Sequence, residues 1–134
     1  MKTRAIIERG KDGSFSIYTP DLTHTIVGEG TTIDKAREDF LIGVQEMCDS
    51  YTENGEPLPR ELEHLEFEYE YDTAALLEEL SEVINMAAFS RQIGINPSLM
   101  RRYKRGLSVS PAQAGRIRDG VRQLGNRLTA FTLA

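Results

Sequence analysis

The sequence predicts an α+β chain, with a small β-β-β-α-β unit over residues 1–72 followed by an all-α unit over residues 73–134. Three observations predict it. Short alternating runs of apolar and polar residues fall only in the first half, whereas three-to-four spacing dominates the second. Two short apolar stripes meet at Gly94, a residue suited to ending a helix in the left-handed conformation. Charge divides where the periodicity does: residues 1–72 hold 17 acidic and 7 basic side chains, and residues 73–134 hold 4 and 9. The overall net charge of −5 conceals this division. An acidic unit joined to a basic one implies two different partners, the basic one suiting nucleic acid.

Thr3–Arg9 reads as a first strand, rich in isoleucine and bounded by charge. Lys11-Asp12-Gly13 supplies a hairpin turn, since Asp and Gly tolerate positive φ. Ser14–Thr19 sets Phe15 and Ile17 against Ser14 and Ser16, a half-buried second strand. Pro20-Asp21-Leu22 interrupts the run, and a third strand is expected around His24–Gly28. Strands this close in sequence form an antiparallel meander.

Thr31-Thr32-Ile33-Asp34 resembles a capping box with Thr31 as the cap. Behind it Ile33, Ala36, Phe40, Val44, Met47 and Tyr51 recur at helical spacing, predicting an amphipathic helix laid across the sheet. A proline-stiffened loop, Asn54–Pro59, ends it. A fourth strand follows, in which Leu65, Phe67, Tyr69 and Tyr71 alternate with Glu66, Glu68 and Glu70. That glutamate row has two readings. It keeps an edge strand from pairing with other sheets, or it meets a partner.

Asp72-Thr73 offers a second cap, and Leu76, Leu77, Leu80, Val83 and Ile84 trace the next helix. Asn85–Gly106 then reads as two short helices around a tight turn. Phe89 and Ile93 precede Gly94, Ile95, Met100 and Tyr103 follow it, and Ser90 is small enough for a close crossing. Asn96 is the cap of the second helix and Pro97 its first residue, where a missing N–H is no loss. The opposite face carries Asn96, Ser98, Arg101, Arg102, Lys104 and Arg105. A basic helix fixed by a short turn is a helix-turn-helix reading head, so these six residues are the candidate contacts to the DNA major groove. The bland account is a helical hairpin with a solvated basic face. Ser110-Pro111 opens a final helix in which Ala114, Ile117, Val121, Leu124 and Leu128 step by three and four, although Gly115, Gly120 and Gly125 weaken it as a free helix. That seam either closes the domain's own core or forms a dimer interface through Ile117, Val121, Leu124 and Leu128.

Little points to catalysis. His24 and His64 are isolated, with no Cys or His at ligand spacing, and neither a phosphate-binding loop nor a nucleophile elbow occurs. The reading is of a non-enzyme with no catalytic residue, no metal and no cofactor. With a single cysteine, Cys48, no signal-peptide pattern and no membrane-length apolar run, the expected setting is the reducing cytoplasm.

Three segments carry a family resemblance: DGSFSIYTPDL (Asp12–Leu22), GEGTTIDKA (Gly28–Ala36) and EPLP (Glu56–Pro59). In the β-β-β-α-β order they resemble the HicB family of bacterial antitoxins, whose pattern is a D-G-aromatic strand, P-D-L, a G-x-T-x-x-E-A helix start and a late Pro-x-Pro. The family's P-x-L-P-G-C run reads Pro20-Asp21-Leu22-Thr23-His24 here, and its Glu before the helix alanine is Lys35. The resemblance covers residues 1–72, and HicB proteins often carry a C-terminal DNA-binding domain, a place residues 73–134 would fill. It implies a partial RNase H-like fold without nuclease activity. It also implies an antitoxin of a type II toxin–antitoxin system that binds a HicA-like toxin, a small mRNA-cleaving protein with a double-stranded-RNA-binding-like fold.

An RNA-cleaving toxin needs a basic face, so the candidate toxin contacts are the ordered acids Glu66, Glu68 and Glu70, then Asp34, Glu38 and Asp39 on the first helix. A fragment ending near Asp72 is expected to keep toxin binding and to lose operator DNA. The whole chain is expected to form a homodimer or higher even oligomer that represses its own transcription. The alternative is a stand-alone helix-turn-helix regulator whose N-terminal domain senses a small ligand. A metal-dependent nuclease using the carboxylates ranks third.

Overall fold

A computed structural model describes all residues, 1–134, as a four-stranded sheet with five α-helices. The composition is mixed α and β. In chain order the elements are β1 (Lys2–Arg9), β2 (Phe15–Tyr18), β3 (Val27–Gly30), α1 (Ile33–Glu53), β4 (Glu66–Tyr71), α2 (Thr73–Ser81), α3 (Met86–Ile93), α4 (Pro97–Lys104) and α5 (Pro111–Ala130). A 3-10 turn at Arg60–Leu62 precedes β4. No helix is long and apolar enough to cross a membrane.

The sheet order is β3-β2-β1-β4. The first three strands form the expected antiparallel meander, and β4 adds to the far side of β1 in parallel, with Lys2 opposite Glu66 and Ile7 opposite Tyr71. A parallel neighbour requires a crossover, which here runs through β2, β3 and α1. One face of the sheet is covered by α1. Ala5, Ile7, Phe15 and Ile17 point to it and meet Ile33, Ala36 and Phe40, all buried. Phe40 lies edge-on to Phe67 of β4 with ring centroids 4.9 Å apart.

Three sequence expectations shift. The third strand is Val27–Gly30 and not His24–Gly28. Its inward positions are Gly28 and Gly30, and a Cβ on Gly28 would fall on the backbone of Phe40 while one on Gly30 would lie 2.5 Å from the Ala36 nitrogen. The helix sits so close that only glycine fits, and glycine leaves no alternation to read. The cap of α1 is Thr32 and not Thr31. The Thr32 hydroxyl accepts the Lys35 N–H at 3.1 Å, and Ile33 then enters the core at once. Helix α2 stops at Ser81, leaving Val83 exposed, because Asn85 must already cap α3 by accepting the Ala88 N–H.

A second core gathers Leu77, Phe89, Ile95, Met100, Tyr103 and Ile117. Helix α2 serves both cores, with Ala75 packed against the sheet side and Leu77 against the helical side.

Candidate nucleic-acid interface and acidic faces

The turn between α3 and α4 is built as its residues dictate. Gly94 adopts φ +76°, its N–H bonds the Arg91 carbonyl, and the Ile95 N–H reaches back to the Ser90 carbonyl at 3.0 Å. This is a Schellman closure, with Ile95 delivered into the core as its apolar partner. The Asn96 side chain then accepts the Ser98 N–H at 2.8 Å, and Pro97 begins α4. Ser90 is fully buried at the crossing, its hydroxyl donating to the Met86 carbonyl.

Burying Met100 and Tyr103 turns the rest of α4 outward. Asn96, Ser98, Arg101, Arg102 and Arg105 are exposed. Arg101 Nη2 donates to Ser98 Oγ at 3.0 Å, which holds that guanidinium along the helix surface. Lys104 differs from the other five: it is half-buried and its ammonium lies 3.8 Å from Glu78 Oε2. Exposed guanidinium groups on one short helix can contact phosphate and read guanine in a groove.

Helix α5 supports the turn from behind. Arg116 Nη1 donates to the Gly94 carbonyl and Arg127 Nη1 to Gln92 Oε1, each at 3.2 Å. The expected dimer seam divides along this helix. Ile117 is 1% exposed inside the chain's own core, so it has no surface to offer a second subunit. Val121 and Leu124 are half-buried against the same core, and Leu128 is exposed, followed by exposed Phe131 and Leu133.

The acidic candidates fall into two separate groups. Glu66, Glu68 and Glu70 lie on the sheet face that α1 leaves uncovered, along edge strand β4. Glu70 is occupied: Arg4 bridges it at 3.1 Å and Asp21 at 2.9 Å. The Arg4 guanidinium holds the Asp21 carboxyl below its usual range, and the two acids together raise Arg4 above its own. Glu66 and Glu68 make no ion pair. On the same face Glu8 accepts a hydrogen bond from the Tyr18 hydroxyl at 2.9 Å, which pushes the phenol up from its ordinary value.

Asp34, Glu38 and Asp39 are on α1, exposed, away from the glutamate row. Asp34 pairs loosely with Arg37, at 3.5 Å. Asp39 accepts the Glu29 N–H of the other edge strand, β3, at 2.9 Å, and so blunts that free edge.

A concavity of about 370 Å³ near the start of α1 is lined by Thr31, Thr32, Asp34, Glu78, Glu79 and Glu82. Sequence reading missed the last three. They come from α2, and nothing in their local pattern places them beside α1. No grouping of three or more His, Cys, Asp or Glu is arranged to hold a metal ion. No protein-family model, curated protein or solved structure matches the chain.

Proposed function

We propose that the chain is an antitoxin of the HicB kind, in which the α3–α4 head binds operator DNA and the acid-rich sheet unit neutralises a basic, RNA-cleaving toxin. It acts by binding and performs no chemistry. The observation that carries this reading is the outward face of α4, where Arg101, Arg102 and Arg105 are exposed beyond a capped, glycine-closed turn. Two of the three acids of β4 are unpaired on an open sheet face, available to a cationic partner that they would also steer electrostatically. The partial RNase H-like description of residues 1–72 and the helix-turn-helix description of residues 73–134 belong to the same proposal.

One head is a small footprint for a specific site, so two copies reading a symmetric operator complete the picture. The exposed end of α5 around Leu128 is the surface left for that pairing. Repression of the protein's own transcription follows from operator binding.

The test uses the full chain, the product of any small basic reading frame beside its gene, and the intervening promoter DNA. The wild type should co-purify with that product and shift the promoter fragment. Changing Arg101 and Arg102 to Ala should cost about 1–3 kcal/mol for each arginine that reads a base. Toxin capture should be unchanged in that variant. A normal shift by the double variant removes α4 from DNA recognition.

A further inference from the structure

Glu78 joins three parts of the molecule through one oxygen. Its Oε2 lies 3.6 Å from Arg9 Nη1 on β1 and 3.8 Å from Lys104 Nζ on α4. The three side chains are 20%, 31% and 35% exposed in the order Arg9, Glu78, Lys104, so water screens these pairs less than it screens the free arginines of α4.

The two cations are not equivalent. Arg9 is held more firmly: its guanidinium lies 5.4 Å over the Phe15 ring and its side chain is only 20% exposed. Lys104 is a point charge on a flexible stem at the last turn of α4, one turn beyond Arg101. It can swing to a phosphate, whereas Arg9, on β1 and stacked on Phe15, is less free to move.

We propose that Glu78 is a positioning residue that competes with DNA phosphate for the Lys104 ammonium, and that Arg9, by sharing the same oxygen, sets how strongly it competes. This rests on α4 being the DNA-contacting helix. A phosphate contact by lysine requires the ammonium to exchange a carboxylate for a phosphate oxygen, so part of the attraction to DNA is offset by breaking the Glu78 pair. Removing Glu78 frees Lys104. Removing Arg9 leaves Glu78 to hold Lys104 alone. Two changes outside the reading helix therefore move DNA affinity in opposite directions.

The experiment titrates the full chain against a labelled short duplex of random sequence over a range of salt concentrations. Glu78→Gln should tighten binding roughly two- to five-fold, the size expected for one partly exposed pair. The slope of log affinity against log salt should steepen by up to about one unit, for one added phosphate contact. Arg9→Gln should weaken binding by about two-fold on the same basis.

Three controls separate this contact from simple charge and from folding. Glu82→Gln changes net charge equally on the segment just after α2 and should give a smaller gain. Lys104→Gln should erase the effect of Glu78→Gln when the two are combined. Thermal unfolding of each variant should remain a single transition near the wild-type temperature. The proposal is overturned if Glu78→Gln binds with wild-type affinity and slope, if Glu82→Gln matches it, or if its gain survives in the Lys104→Gln background. Failure of the wild type to bind any duplex removes the DNA reading itself, and the Glu78 assignment with it.

Discussion

Helices α1 and α5 are nearly equal in length, 21 and 20 residues, yet they are held in different ways. Along α1, Ile33, Ala36 and Phe40 are buried, and Val44, Met47 and Tyr51 continue the contact with the same core. Along α5 only Ile117 and Gly120 are buried, half-buried Val121 and Leu124 continue the contact with the second core, and the helix runs on for six residues past Leu124. The first is stabilised by tertiary packing, as most helices are. The second buries fewer residues, and its start is fixed by the Ser110 hydroxyl, which accepts the Gln113 N–H, and by Pro111 in the first turn. Its far end is surface, and that surface includes Leu128 at 55% exposure. A helix longer than its core contact leaves apolar side chains exposed at its far end.

One added methyl group, placed at different glycines, turns this difference into a measurable ladder. The largest effect belongs under α1. Gly28→Ala would set a Cβ against the Phe40 backbone, and because backbone cannot rotate aside the helix must move. A loss of about 3 kcal/mol is expected, the upper end of the usual overpacking range, read as a lowered denaturation midpoint. A loss below half of that would mean that α1 is not seated on β3 as described.

Gly120→Ala comes second. Its Cβ would meet the Ile93 methyl group, with Phe89 Cζ at 3.3 Å, so side chains can yield in part. Overpacking of about 1–3 kcal/mol is offset by about 1 kcal/mol of helix propensity, leaving a small net loss in chemical denaturation. The smallest effect has the opposite sign. Nothing lies within 4 Å of a Cβ on Gly115 or Gly125, so each change to Ala should stabilise by about 0.5–1 kcal/mol. If Gly125→Ala destabilises at high protein concentration only, a second copy packs there.

The same contrast between local and distant causes explains what the sequence made legible. The turn of the head was readable residue by residue, because Gly94, Asn96 and Pro97 act on backbone groups within a few positions of themselves. The alternation of β4 was readable because Phe67, Tyr69 and Tyr71 share one face. Its parallel pairing with β1 was not, since nothing in either strand specifies a partner some sixty residues away. Strand β3 is not legible in the sequence because its buried positions are glycines, which the approach of α1 requires and which carry no hydropathy signal. Ile117 counted equally in a core or in a seam, and only the position of α3 decides between them. The site residues show the same limit. The exposed arginines of α4 followed from local spacing, while Glu78 meets Lys104 only once α2 crosses α4.

Asp72 and α2 bear on how this chain comes apart. The Asp72 carboxylate accepts the Ala75 N–H at 2.8 Å and the Arg9 N–H at 3.2 Å, and its own N–H bonds the Ile7 carbonyl. One residue thus ties the ends of β4 and β1 to the start of α2. Ala75, fully buried, closes the sheet's core, while Leu77, two positions on, lies in the other. A cut at Asp72 would strip a lid from the first core, whereas a cut after Ser81 would leave it whole. Because α2 gives Ala75 to one core and Leu77 to the other, loosening this one helix uncovers apolar side chains of both, which couples the two cores when the chain unfolds.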